Sequence, residues 1–148
     1  MNDALQNLYS SKWDKLVAGL KPIIEDDSLD IKPANPLLLY IDKEEDFKNA
    51  DIRLMICGQE TNSWYENENA NITDIQTLYD GFFNKGECWT YGGQFWNGVN
   101  RFLSSLQNKY PDKKIRLIWN NIVKIGKHGD KGFPPDYIYE IEREFFHV

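Results

Sequence analysis

The stretch DIRLMICGQETNSW, Asp51 to Trp64, decides how this chain is read. Ile52 to Cys57 is apolar apart from Arg53 and is bounded by a charged segment and a glycine, the pattern of a short buried strand in a parallel sheet. On that reading Cys57 is a small buried hydrophobe. Gly58 permits a sharp turn or a close backbone approach. Gln59, Glu60, Thr61 and Asn62 follow at once, so the strand delivers a carboxylate and two amides to its carboxyl end. That end is where ligands bind in open α/β sheets. The competing reading is a polar loop that only caps a helix.

A second stretch repeats the pattern. IRLIW, Ile115 to Trp119, is followed by Asn120 and Asn121. The material between the two stretches reads as helical, so a right-handed crossover between parallel, adjacent strands is the natural connection. Both carboxyl ends then face one cleft. There a carboxylate can position or activate water, and an amide, with donors and an acceptor, can read a pyrimidine-like edge.

The rest of the chain supplies layers around these strands. Residues 3–20 carry Leu5, Leu8, Tyr9, Leu16 and Leu20 at helical spacing, with Asp3 placed to cap the start. Pro36 to Ile41 is apolar and short, either a strand or an extended segment across the core. Residues 73–83 read as a short helix capped by Thr73 or Asp74, and residues 84–94 as a glycine-rich loop without phosphate-loop spacing. Residues 95–108 form a helix with a broad apolar stripe. Residues 65–71 and Gly126 to Asp136 read as loops, and a last helix starts near Pro135 and buries Ile138, Ile141 and Phe145. The expectation is one α/β domain over residues 1–148, a three-layer α/β/α arrangement with a short, mostly parallel sheet.

Composition narrows the function classes. The formal net charge of −6 counts against tight non-specific binding of a duplex through its phosphates. Two cysteines without a CxxC pair, and two histidines, give neither a disulfide framework nor a metal site, and no cofactor is expected. No apolar run reaches the roughly 20 residues that span a bilayer, so an intracellular, cytoplasmic protein is expected. Aromatic residues, at 14%, are numerous enough to fill a core or to supply stacking surfaces.

GQETNSW after one apolar strand, and LIWN followed by NIVKI after another, together resemble the uracil-DNA glycosylase superfamily over roughly residues 35–145. In the best-known branch the first motif reads GQDPYH and the second LLLN with a following LTV. The resemblance implies that Glu60 is catalytic and orients the attacking water, and that Asn120 reads the base, with Asn121 the alternative. Gln59, Asn62 and Trp64 join them as substrate-binding residues, Trp64 or Tyr65 standing in as a steric gate. A stacking aromatic is implied between the motifs, with Phe82, Phe83 and Trp89 as candidates. Thr61 and Asn62 replace Pro and Tyr of the family motif. The family's later His-Pro-Ser type loop has no counterpart, since His128 lies in HGD and His147 is followed only by Val148. Two further core strands of the family are also missing, which implies an incomplete, truncated domain with an exposed sheet edge suited to homo-oligomerisation. The implied function is hydrolysis of the N-glycosidic bond of a damaged base, uracil, in DNA. The alternatives are a non-catalytic nucleobase- or nucleotide-binding domain of the same fold, a fragment, or an enzyme using Glu60 as general base on a small metabolite.

Overall fold

The computed structural model describes residues 1–64 and 69–146. In chain order they form α1 (Asn2–Glu25), β1 (Pro33–Pro36), α2 (Glu44–Lys48), β2 (Ile52–Gly58), α3 (Ile72–Tyr79), α4 (Cys88–Tyr91), α5 (Gly93–Lys109), β3 (Ile115–Asn121), β4 (Ile125–Lys127) and α6 (Asp136–Phe146). Residues 80–84 continue α3 as a π-turn. The architecture is mixed, with more helix than strand and two small sheets, and is compatible with an α/β fold.

β2 and β3 pair in parallel, from Ile52 opposite Ile115 to Gly58 opposite Asn121. β1 pairs antiparallel with β4, Pro33 opposite Lys127 and Pro36 opposite Ile125. The segment Gly126 to Asp136, expected to be all loop, therefore gives its first residues to a strand. Leu37, Leu38, Leu39 and Ile41 are buried without belonging to a strand, so this run is an extended segment across the core.

β2 departs from the expected fully buried strand. Its residues alternate, with Arg53, Met55 and Cys57 exposed and Met55 at 53%. The physical reason is that, although Ile118 of β3, opposite Met55, is buried, β2 itself is covered on one face only. That face carries Trp119, which packs against Tyr79, Phe82, Phe83 and Trp96 from the α3–π-turn segment and α5. Cys57 is accordingly exposed, while Cys88 is the buried cysteine, its thiol pushed up to about 11 by desolvation.

Two apolar clusters hold the fold. One gathers Leu37 to Leu39, Ile75, Tyr79, Trp96 and Trp119. The other joins Leu16, Leu20 and Ile23 of α1 to Ile138 and Phe145 of α6 and to Ile125 of β4. α1 runs further than its stripe suggested, through Pro22 into its last turn, and it lacks a side-chain cap at its start, so Asp3 does not cap it. α3 is capped by Asn71 rather than Thr73. Asn71 Oδ1 accepts the Asp74 N–H at 3.1 Å, and the Asp74 carboxylate accepts the Asn71 N–H at 3.2 Å, a reciprocal box that satisfies two otherwise unpaired donors. No helix of the described residues is long and apolar enough to cross a membrane.

Candidate functional site

The residues after β2 leave the sheet along a fixed path. The Gly58 and Gln59 carbonyls accept the Ile122 and Val123 N–H groups at 2.9 and 2.8 Å, which carries the strand pairing past the end of the ladder. Thr61, 2% exposed, lies so close to Gly126 that a Cβ there would overlap the Thr61 carbonyl and hydroxyl. Ser63 takes a left-handed backbone (φ 50°), uncommon for a residue with a Cβ, and its Oγ accepts the Gly129 N–H at 2.9 Å. The Trp64 carbonyl accepts the Asn35 N–H at 3.2 Å. The turn is thereby tied to both β4 and β1, and is not a free polar loop.

Gln59, Glu60, Asn62 and Trp64 line one cavity of about 580 Å³ together with Asn121. That size lies within the range of small-molecule sites. Phe82, Tyr91, Phe95, Trp96 and Trp119 complete its walls. Phe82 sits at the centre of the rings, its centroid 5.5 to 5.8 Å from Trp64, Tyr91, Trp96 and Trp119. Tyr79 backs the wall: it stacks on Trp119 at 5.8 Å and 11°, and its hydroxyl donates to the Trp119 carbonyl at 2.7 Å and accepts the Trp119 N–H at 3.1 Å. Burial raises the Tyr79 phenol, keeping it protonated for that bond. Asn62 Nδ2 donates to the Tyr91 hydroxyl at 3.1 Å, linking the turn to the opposite rim.

Asn121 is fixed by its neighbours. It is 2% exposed and fills the space over Gly58, where a Cβ would collide with its Oδ1. The Trp119 indole N–H can only donate, and it donates to Asn121 Oδ1 at 3.0 Å. Asn121 Nδ2 is therefore left as a buried donor without a protein partner among the described residues. Glu60 Oε2, Trp64 Nε1 and Thr61 Oγ1 are in the same condition. A buried polar atom without a partner costs about 1–3 kcal/mol, so a cluster of four within one set of lining residues marks a place where a ligand can restore bonds.

Asn120 does not join this site. Adjacent strand residues point to opposite faces, and the Asn120 Oδ1 accepts Lys124 Nζ at 2.5 Å on the far side of the ribbon. Lys124 Nζ also donates to the Asn121 carbonyl. Burial pulls the Lys124 ammonium down to about 8. Beside it the fully buried Glu142 carboxylate accepts the Lys124 and Ile125 N–H groups at 2.6 and 2.8 Å, and desolvation raises its pKa. The resemblance implies base reading by Asn120, with Asn121 the alternative; of the two, Asn121 lines the cavity.

Of the three aromatics weighed as a stacking platform, Phe82 lines the cavity. Phe83 is buried behind it against Tyr79, Trp96 and Trp119, and Trp89 is largely exposed and meets the edge of Trp96. Tyr65, the second candidate gate, and His147 lie outside the described residues. The sequence reading missed Glu87, Tyr91 and Gln94, which line the cavity from the N-cap and end of α4 and the start of α5. Their signal was the run CWTYGGQFW, where Gly92 and Gly93 take positive φ (77° and 82°) and let the chain turn from α4 directly into α5.

A second depression of about 460 Å³ lies between α1 and α6. Its polar groups are engaged: the Tyr9 hydroxyl accepts the Leu39 N–H at 3.0 Å, and Lys12 Nζ donates to the Phe145 carbonyl at 2.5 Å. No group of three or more His, Cys, Asp or Glu side chains that could hold a metal ion occurs among the described residues. Comparison of the chain with protein-family models, with curated proteins and with solved structures finds no match.

Proposed function

We propose that this cavity binds a nucleobase and that Glu60 orients the water that hydrolyses its N-glycosidic bond. The observation that supports this most is the set of buried atoms without a partner among the described residues, all on residues lining one aromatic-walled cavity: a carboxylate oxygen on Glu60 and donors on Asn121 and Trp64. Planar aromatic walls stack a heterocycle, and fixed donors read its carbonyl edge. In the reaction, the water oxygen bonds to C1′ and its proton passes to Glu60. The C1′–N bond breaks with its electron pair going to the base. Asn121, rather than Asn120, is the base-reading amide in this proposal, and Phe82 the stacking ring. The parallel β2–β3 pair, followed and preceded by helices, is the part of a three-layer α/β/α, uracil-DNA-glycosylase-like sheet that this reading requires. That resemblance makes uracil in DNA the first substrate to offer.

A second reading, a nucleobase binder without turnover, is favoured by the lining itself. Among the described residues it contains no Lys, Arg or His to offset a departing base anion. Base release from uracil-containing single- and double-stranded oligonucleotides, wild type beside Glu60→Gln, tests the two. Release by the wild type that the substitution abolishes, with binding retained, supports catalysis by Glu60. Binding without release by either protein supports the binder.

A further inference from the structure

We propose that the base selected by this cavity is positively charged: an N-alkylated nucleobase held as a cation between the aromatic walls and the carboxylates of Glu60 and Glu87. The inference rests on the nucleobase reading above and adds a charge class to it.

Three features of the lining point the same way. Ring faces are electron-rich and attract cations, most strongly when desolvated, and the cavity is walled by Trp64, Phe82, Trp96 and Trp119 among others. Two acidic residues line it, Glu60 with one oxygen buried and without a partner among the described residues, and Glu87, which is exposed. No cationic side chain is found among its described lining residues. A neutral base that leaves as an anion is disfavoured in such surroundings, because each negative group nearby raises the cost of the developing charge. A base alkylated at a ring nitrogen reverses the sign. When its C1′–N bond breaks, the bonding pair returns to the ring nitrogen and the base departs neutral. The water oxygen forms the new bond to C1′, and its proton passes to Glu60. No proton donor is then needed at the leaving group. The Asn121 Nδ2 donor remains free to hold a carbonyl of the base, as a guanine-like ring presents.

The test is a calorimetric titration of the wild-type protein with 7-methylguanosine, with guanosine, and with 7-methyl-7-deazaguanosine, which keeps the methyl group and loses the charge. Mildly acidic buffer keeps the methylated base fully charged. Binding of the cation at least about tenfold tighter than either neutral nucleoside is expected. The substitution Glu87→Gln, at an exposed position, is expected to cut that preference about threefold. Equal binding of all three, or binding of the deaza compound as tight as that of the cation, overturns the charge selection and leaves the nucleobase reading standing. Binding of none of them to folded protein overturns the charged-base proposal, while the nucleobase reading is decided separately by the uracil-oligonucleotide test.

Discussion

Asn120 and Asn121 close the same strand, side by side in sequence, yet they serve two regions that differ in kind. The Asn120 side of the ribbon is a saturated polar network, in which Lys124 and Glu142 pair with amide and backbone groups. The Asn121 side is aromatic and holds buried polar atoms that no group among the described residues satisfies. Saturation is what a structural network needs, since a half-satisfied buried group destabilises. Unsatisfied donors fixed in place are what a binding site needs. The difference teaches that, at the end of a strand, the two-residue period decides which of two identical amides lines the cavity.

The sharpest way to break this contrast is Glu142→Ala. It leaves the buried Ile125 N–H and the part-buried Lys124 N–H without their acceptor, and an expected loss of about 3–5 kcal/mol should appear in urea unfolding. A loss below about 1 kcal/mol would show that the network is not structural. Next in size is Gly58→Ala on the cavity side. Its Cβ must displace Asn121, so a cost of about 1–3 kcal/mol is expected, with ligand binding lost in the folded variant.

The pH dependence separates the regions further. The folded state holds the Lys124 proton with a pKa of about 8, below the ordinary lysine value, so the unfolded chain binds that proton more tightly. Its contribution to stability therefore rises with pH from about 8 toward about 10.5. Urea midpoints measured across that window should climb through this group, and Lys124→Met should flatten the climb where Asn121→Ala does not. The smallest effect is expected at Cys57→Ser on the open face, within about 0.5 kcal/mol of wild type. A thiol reagent should modify Cys57 in the native protein and reach Cys88 only on unfolding.

Much of this was legible in the sequence. The two apolar runs, their parallel pairing and the polar turn at Gln59 to Asn62 follow from local pattern and from the crossover rule. The open face of β2 was also written there, in Arg53 and Arg116. They occupy matching positions in the two strands, and the strand period carries their exposure on to Met55 and Cys57. What was not legible is what depends on register and distance. Asn121 could be told from Asn120 only once Gly58 and Trp119 were seen beneath it. Glu87, Tyr91 and Gln94 line the cavity on either side of two positive-φ glycines that join α4 to α5, a geometry that composition does not announce. Asn71 won the cap of α3 because its side chain and that of Asp74 satisfy each other's backbone.

One paired measurement tests the central claim most directly. Tryptophan fluorescence, read through Trp64, Trp96 and Trp119, is titrated with a panel of nucleosides in wild type, Asn121→Ala and Asn120→Ala. The account predicts that a nucleoside perturbs the wild-type signal, that Asn121→Ala weakens its binding by about tenfold or more, and that Asn120→Ala leaves it within about twofold. Equal losses in the two variants, or a loss confined to Asn120→Ala, would contradict it.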